Sequence, residues 1–380
     1  MPYALALLLL ALGFGVSPLL GQTDLTGSFT FDGAVRDYRL HLPPDGVGPD
    51  ALPLVLNLHG YTSNAVQQEG YSRMNEVADT AGFAVCYPNG LNREWNVGWA
   101  FNRATDDVGF LRALVDTLVA RHGLDRGRVY SCGMSNGGFM SYRLACEASD
   151  VFAAVGSVTG GMVPGRRATC DTSGAVLPVI QIHGTADPTV AYGGSFINDP
   201  IETTVAYWAG RFPAVSDTLV STVPDRADDG LTTVRTQYVT RDGGGGEVTL
   251  VDYYLTEGAL HTWPGGAGNR AGQTEDFSAS AALWQFFRQH SRAFVSDVEA
   301  VGFRENPFRV WPNPARGSLR FAPSERARVL TLHDATGRQV LRKRIAAGQT
   351  TLELPRLPAG QYYGQVTGSA PAQSLRLSIR

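Results

Sequence analysis

The segment Gly133-Met134-Ser135-Asn136-Gly137 decides how this 380-residue chain is interpreted, because it gives a serine the setting of a nucleophile. It follows an apolar run at residues 128–132 and precedes a helix-like segment at residues 139–145. A Gly-x-Ser-x-Gly sequence between strand and helix forms a sharp turn that lifts the serine Oγ clear of the sheet. The alternative is an ordinary glycine-rich turn. The strand-to-helix setting favours Ser135 as a nucleophile.

Two further side chains complete a catalytic pattern. A serine hydroxyl needs a base to take its proton and a carboxylate to orient that base. Asp187 follows the apolar run 176–183, and His261 lies in the loop after a second strand-like run at 248–255. Singly, an aspartate before proline is also typical of a turn, and a loop histidine is often only solvated. The order Ser, Asp, His, each after a strand, predicts a triad of Ser135, Asp187 and His261.

Two backbone N–H groups are candidates for binding the oxyanion of an ester intermediate. An apolar strand at residues 54–58 ends in His59-Gly60. In α/β-hydrolases, which share the chain order Ser, Asp, His, the loop after such a strand supplies one donor. The residue after the nucleophile supplies the other. We therefore assign the donors to Tyr61 and Asn136, and expect His59 to brace the loop.

Three tryptophans are candidate substrate contacts. Trp263, two residues after His261, would offer a flat face to an aromatic acid or a sugar ring, with packing against the next helix as an equal alternative. Trp95 and Trp99 lie in a loop before a predicted helix and are similar candidates.

Strands and helices alternate along most of the chain. A hairpin is predicted within residues 27–42, followed by strands alternating with helices around 67–81, 106–121 and 276–290. This βαβ rhythm implies a mostly parallel sheet with helices on both faces. The fold class is therefore α/β, with the order of the triad indicating an α/β-hydrolase fold.

The last part of the chain differs from the rest in its predicted secondary structure and in its charge. Short strands separated by Gly and Pro predict a small all-β sandwich after about residue 306. Residues 1–300 carry 19 basic and 31 acidic side chains, whereas residues 301–380 carry 13 and 4. We therefore expect four parts: a signal peptide at 1–21, a catalytic domain at 22–297, a linker at 298–308 and a sandwich at 309–380.

The apolar run at residues 3–20, followed by polar sequence from Gln22, is typical of a secretory signal peptide. It is too short and too interrupted for a transmembrane span, although the absence of Lys or Arg before Arg36 leaves an uncleaved anchor as a minority alternative. The basic tail lacks nucleic-acid-binding motifs, so no nucleic-acid partner is expected.

Export permits disulfide bonds among the four cysteines. We expect a disulfide between Cys146, at the end of the helix after the nucleophile, and Cys170, in the following loop. Three pairings are possible if all four are oxidised. Cys86 and Cys132 lie in predicted strands, and the sequence leaves open whether they are free, buried thiols. No metal-site spacing is present, and the chemistry requires no metal or organic cofactor.

Residues of about 25–290 resemble the secreted α/β-hydrolase esterases grouped as poly(3-hydroxybutyrate) depolymerases and feruloyl or acetylxylan esterases. The resemblance implies Ser135 as nucleophile, His261 as base and Asp187 as its orienting acid. Tyr61 stands where this family often has a cysteine, a change that a backbone donor tolerates. The resemblance is carried by Leu58-His59-Gly60, residues 133–138, Tyr142-Arg143-Leu144-Ala145-Cys146-Glu147, His183-Gly184-Thr185-Ala186-Asp187 and His261-Thr262-Trp263-Pro264-Gly265.

Residues of about 305–380 resemble the C-terminal sorting domain of type IX secretion substrates. Trp311-Pro312-Asn313-Pro314, residues 334–338 and residues 357–363 carry this resemblance. It implies export by the type IX machinery, with the domain then removed or used for surface attachment. A carbohydrate-binding module is the alternative for a small sandwich.

The sequence thus predicts a secreted or surface-attached serine esterase with a small or polymeric ester substrate. Candidate substrates are feruloyl or acetyl esters of plant polysaccharide, and polyhydroxyalkanoates. A serine peptidase on the same fold and a catalytically inactive surface-binding protein remain alternatives.

Overall fold

A computed structural model describes residues 23–44, 51–170, 176–241 and 246–292, and, in the C-terminal part, 310–311, 315, 317–324, 326–334, 339–367 and 373–379. The predicted signal peptide and the predicted linker at 298–308 lie outside the described residues. The chain divides into two compact units, Met1–Arg292 and Ala293–Arg380. The exact domain limits remain a prediction, because they fall in the undescribed stretch.

The first unit is built on one ten-stranded sheet with the order β1-β2-β4-β3-β5-β6-β7-β10-β9-β8. Its six central strands, from β4 to β10, run parallel, and both ends are antiparallel. The strands are β1 Thr23–Phe31, β2 Ala34–Leu42, β3 Leu54–Leu58, β4 Ala84–Pro88, β5 Val129–Met134, β6 Ala154–Val158, β7 Val179–Gly184, β8 Asp217–Thr222, β9 Thr232–Arg241 and β10 Glu247–Glu257. The predicted α/β class with a mostly parallel sheet is confirmed.

Seven α-helices accompany the sheet in the described part of this unit. The predicted helix around 67–81 is two helices instead, because Arg73 between them adopts a left-handed conformation with φ 53°. The helices are α1 Ala65–Ser72, α2 Met74–Ala81, α3 Asp107–His122, α4 Asn136–Glu147, α5 Arg166–Thr169, α6 Ile201–Ala209 and α7 Ala279–Phe287.

Apolar side chains bury both faces of the sheet. Along β3, Leu54 and Leu56 pack into one core cluster with Phe110 of α3, whereas Val55 packs into the other with Leu283 of α7. This alternation follows from the two-residue period of a strand. A sheet covered on both faces leaves its strand ends for polar chemistry, as is usual in parallel α/β folds.

The cysteines have two different roles in this unit. Cys146 at the end of α4 forms a disulfide with Cys170, which immediately follows α5. Cys86 in β4 and Cys132 in β5 are free thiols, and burial raises the pKa of both. The two buried thiols are therefore inert packing groups.

The second unit is an antiparallel β structure with its own core. Leu319, Phe321, Leu330 and Leu377 are among the buried side chains that fill it. Its strands form a three-stranded sheet, β11-β12-β15, and a four-stranded sheet, β14-β13-β16-β17. They are β11 Val310–Trp311, β12 Ser318–Phe321, β13 Arg328–His333, β14 Gln339–Ile345, β15 Thr351–Glu353, β16 Gly360–Thr367 and β17 Gln373–Ile379.

Candidate active site

Ser135 lies at a strained turn between β5 and α4. Its backbone has φ 54° and ψ −120°, a conformation that costs a non-glycine residue about 1–3 kcal/mol. A Cβ added at Gly133 would come within 2.6 Å of the Leu58 carbonyl oxygen, and one at Gly137 within 2.1 Å. Both glycines are therefore required for β3 to pack against the turn. The Ser135 N–H donates to Val158 O at 2.9 Å, which ties the turn to β6.

Asp187 and His261 are brought together from loops 74 residues apart. Asp187 follows β7, and its Oδ2 lies 2.7 Å from His261 Nδ1. Its Oδ1 accepts the N–H groups of Thr189 at 2.8 Å and Val190 at 2.9 Å. Burial alone would raise the pKa of Asp187, but its hydrogen bond and electrostatic interaction with His261 hold that pKa below the usual value.

This arrangement determines the tautomer of His261. An ionised Asp187 can only accept, so Nδ1 carries the proton and donates it to Oδ2. The neutral ring then has a free electron pair on Nε2. Of the two nitrogens, Nε2 is the one that can act as a base.

Ser135 and His261 line the same pocket, which has a volume of about 500 Å³. Tyr61, Val66, Tyr71 and Arg270 form other parts of its wall. The structure thus gathers the three predicted triad residues around one cleft, with Asp187 buried behind His261.

The loop after β3 lies directly against the nucleophile turn. A Cβ built on Gly60 would stand 3.6 Å from both Met134 O and the Ser135 Cβ. Among the described residues, the backbone N–H groups of Tyr61 and Asn136 donate to no protein acceptor. Both predicted oxyanion donors therefore remain available to a ligand.

His59 braces this loop as a neutral ring. Burial lowers the pKa of His59 to about 4. Its Nδ1 lies 2.8 Å from Gly60 O, to which a protonated Nδ1 donates, and its Nε2 accepts the Gly90 N–H at 3.0 Å. With both nitrogens engaged, His59 is not placed to act as a base.

Trp95 links the loop after β3 to the nucleophile turn. Its indole Nε1–H donates to His59 O at 3.0 Å. The Asn136 side chain accepts the Trp95 N–H through Oδ1 at 2.7 Å and donates to Trp95 O through Nδ2 at 3.1 Å. Both loops that carry the candidate oxyanion donors are therefore held by one residue.

Trp95 and Trp263, both expected to contact substrate, are 0 % exposed and are not among the described residues that line the pocket. Trp263 packs beneath the site, and its Nε1–H donates to Ser280 of α7 at 3.2 Å. Packing against the following helix was the alternative role expected of this residue. Sequence reasoning could not separate the two roles, since a large aromatic side chain serves either.

Trp99 is 8 % exposed and does not line the pocket in the described structure. Its ring packs against Phe139 at 5.0 Å and Phe101 at 5.1 Å, and its Nε1–H donates to Ile197 O at 3.0 Å. Tyr61 and Phe101, 48 % and 53 % exposed, present the open aromatic surface here instead.

Tyr71 and Arg270 are two pocket residues that sequence reasoning missed. Tyr71 belongs to α1, a helix without any recognisable motif, and Arg270 lies in the loop nine residues after His261. No sequence pattern marks Tyr71 as a pocket residue. The one signal for Arg270 is that it closely follows the motif His261 to Gly265.

Within the described ranges, no group of three or more His, Cys, Asp or Glu side chains is arranged to hold a metal ion. No helix among those residues has the length and apolar character needed to cross a membrane.

Comparison with known proteins gives two family matches. Residues 36–194 match the family described as Esterase PHB depolymerase, and residues 309–380 match the secretion system C-terminal sorting domain. The second match supports an extracellular or cell-surface location, as predicted.

Three curated relatives are similar to this chain. A Nocardia uniformis subsp. tsuyamanensis protein named as esterase NocK is 33 % identical over 66 % of this chain and 76 % of its own length. Feruloyl esterase C of Emericella nidulans is 33 % identical over 42 % of this chain and 57 % of its own length. Poly(3-hydroxyalkanoate) depolymerase C of Paucimonas lemoignei is 30 % identical over 51 % of this chain and 48 % of its own length. The match thus spans only about half of the latter two relatives.

Proposed function

The chain belongs to the Esterase PHB depolymerase family of carboxylic ester hydrolases, and from this premise we propose that it is a serine esterase acting through Ser135, His261 and Asp187. The observation that carries the proposal is the 2.7 Å contact of His261 Nδ1 with Asp187 Oδ2 beside a pocket that also contains Ser135. This contact leaves Nε2 as the nitrogen of His261 that can accept a proton.

The reaction proceeds in two acyl-transfer steps. Ser135 Oγ attacks the ester carbonyl carbon while His261 Nε2 takes the hydroxyl proton, and the carbonyl oxygen becomes an oxyanion. The N–H groups of Tyr61 and Asn136 stabilise that oxyanion, each by about 3 kcal/mol. His261 then protonates the departing alcohol, which leaves an acyl-serine.

Water completes the cycle. His261 takes a proton from water as the water oxygen attacks the acyl carbon, and it returns the proton to Ser135 Oγ as the acid leaves. Asp187 stabilises the imidazolium in both steps without itself taking a proton.

The substrate classes we propose are feruloyl or acetyl esters of plant polysaccharide, and polyhydroxyalkanoates. The support is similarity alone: one relative is named a feruloyl esterase and another a poly(3-hydroxyalkanoate) depolymerase. Export through the type IX machinery, implied by the sorting domain, is consistent with polymers that cannot enter a cell.

The test is the Ser135→Ala variant of the full chain, with Ser221→Ala on the exposed strand β8 as the matched control. Wild type and control should react with a fluorophosphonate probe and hydrolyse 4-nitrophenyl acetate. Ser135→Ala should fail to label and should lose on the order of 10⁵–10⁶-fold in kcat.

Normal hydrolysis by Ser135→Ala would refute the nucleophile assignment. Absence of labelling in the wild type would favour an inactive surface-binding protein, and cleavage of peptides in preference to esters would favour a peptidase. Methyl ferulate, acetylated xylan and a polyhydroxybutyrate film separate the substrate classes.

A further inference from the structure

Arg270 gives the cleft a positive charge that the ester reaction itself does not use. It is the only lysine or arginine among the described residues that line the pocket with Ser135 and His261, and no Asp or Glu lies in that lining. An ester group is uncharged, so a triad and an oxyanion hole need no cation beside them. The charge is therefore available for another part of the substrate.

The guanidinium is positioned by Tyr71. Its central carbon stands 4.2 Å from the centre of the Tyr71 ring, within the range of a cation–π contact. The two segments are also joined by their backbones, since the Ala267 N–H donates to Tyr71 O at 2.9 Å. Arg270 is thus held against an aromatic face, although its side chain is exposed.

Tyr71 is in turn fixed relative to the candidate base. Its hydroxyl accepts the backbone N–H of Trp263, two residues after His261, at 2.9 Å. The same hydroxyl donates to Gln273 Oε1 at 3.3 Å. Burial raises the pKa of Tyr71, so the ring remains a neutral phenol under Arg270. A short chain of contacts therefore links the guanidinium to His261.

Arg270 has no ion-pair partner among the described residues. No carboxylate of the described residues lies within 4.0 Å of its guanidinium, whereas Arg73, Arg112 and Arg235 each pair with an acidic side chain. A planar guanidinium offers paired N–H donors that match the two oxygens of a carboxylate. A ligand carboxylate in this cleft would supply the missing partner.

We propose that the cleft selects esters that carry a carboxylate, and that Arg270, whose guanidinium lies over the Tyr71 ring, binds that carboxylate. This inference rests on the proposed esterase function and narrows its substrate class. The carboxylate can belong to the acyl part, as in a dicarboxylic half-ester. It can equally belong to the alcohol part, as in the free-acid end of a hydroxyacid oligomer or in a uronic acid.

The experiment compares matched charged and neutral esters at pH 7.5 and low salt. The acyl pair is mono-4-nitrophenyl glutarate and 4-nitrophenyl pentanoate, which share a leaving group. The alcohol pair is 3-acetoxybutyrate and its methyl ester, which share an acetyl group. Because the methyl ester contains a second ester bond, the release of acetate is the reaction followed for this pair. The quantity measured for each pair is the ratio of kcat/KM on the charged ester to that on the neutral one.

In Arg270→Gln, the ratio for one pair should fall about 10- to 100-fold, the usual range for a hydrogen bond to a charged group. The change should come mainly through KM, because the carboxylate binds away from the reacting carbonyl. Arg270→Lys should recover part of the ratio, and Arg270→Glu should lower it further. The pair that responds identifies whether the carboxylate lies on the acyl or the alcohol side.

Arg121→Gln, in the last turn of α3 and outside the pocket lining, is the control for net charge and should leave both ratios unchanged. Equal losses on charged and neutral esters in Arg270→Gln would indicate a structural role and overturn the proposal. Unchanged ratios in both pairs would overturn it as well. Either result leaves the esterase proposal intact. Hydrolysis of none of the four esters by the wild type would instead count against the esterase proposal itself.

Discussion

Replacing Asp187 by Asn should convert His261 into the wrong tautomer. Oδ1 of Asp187 accepts two backbone N–H groups, from Thr189 and Val190, at 2.8 and 2.9 Å. In the amide, the carbonyl oxygen must keep that position, because an NH₂ group there would face two donors. The NH₂ group therefore occupies the Oδ2 position, 2.7 Å from His261 Nδ1.

An NH₂ group at that position donates to Nδ1, so the proton of the imidazole moves to Nε2. A ring protonated on Nε2 cannot take the Ser135 proton. Loss of the charged hydrogen bond alone removes about 1.5–3 kcal/mol of stabilisation from the imidazolium. With the tautomer also reversed, kcat should fall about 10⁴-fold, equivalent to about 5 kcal/mol in the barrier.

The assay is hydrolysis of 4-nitrophenyl acetate at pH 7.5, with chemical denaturation to confirm that the variant folds. Asp217→Asn, at the start of the exposed strand β8, is the matched control and should retain wild-type rates. If the Asp187→Asn protein folds and loses less than tenfold in kcat, the inferred tautomer and the orienting role of Asp187 are both wrong.

Two further predictions concern buried groups around the site. Trp95→Phe keeps an aromatic ring but removes the donor to His59 O, so the unfolding free energy should fall by about 1–3 kcal/mol and kcat should fall more than KM changes. Steady-state kinetics with an unaltered kcat would show that this bond does not position the oxyanion donors. Burial lowers the pKa of His59 and of His290 to about 4, below the unfolded value of about 6.5. The unfolded chain therefore binds more protons between these values, and the stability present above pH 6.5 should be lost as pH falls towards 4, by up to about 1.4 kcal/mol per pH unit for each ring. Denaturation curves at pH 7, 6, 5 and 4 measure how steeply the free energy of unfolding falls with decreasing pH. The fall should be smaller in His290→Gln, and an equal fall in that variant would contradict a contribution from the His290 ring.

Local sequence patterns predicted the elements well where each element depends on its own residues. The helix expected around 106–121 is Asp107–His122, since Asp106 caps its first turn and Gly123 ends it in a left-handed conformation. The break between α1 and α2 was missed, because nothing in residues 67–81 marks Arg73 as left-handed. A residue other than glycine takes that conformation only when the surrounding packing compensates for the cost.

The α/β class, the strained serine turn and the order of the candidate triad could all be predicted from the chain alone, because they depend on short-range glycines and on two-residue and βαβ periodicities. Which aromatic rings are buried, and which polar groups meet across the cleft, became apparent from the folded molecule. Trp95 and Trp263 are 0 % exposed, and Arg270 sits 4.2 Å over the ring of Tyr71, which lies far earlier in the chain. Such contacts depend on how loops from different strands pack at one edge of the sheet, and no local pattern encodes that packing.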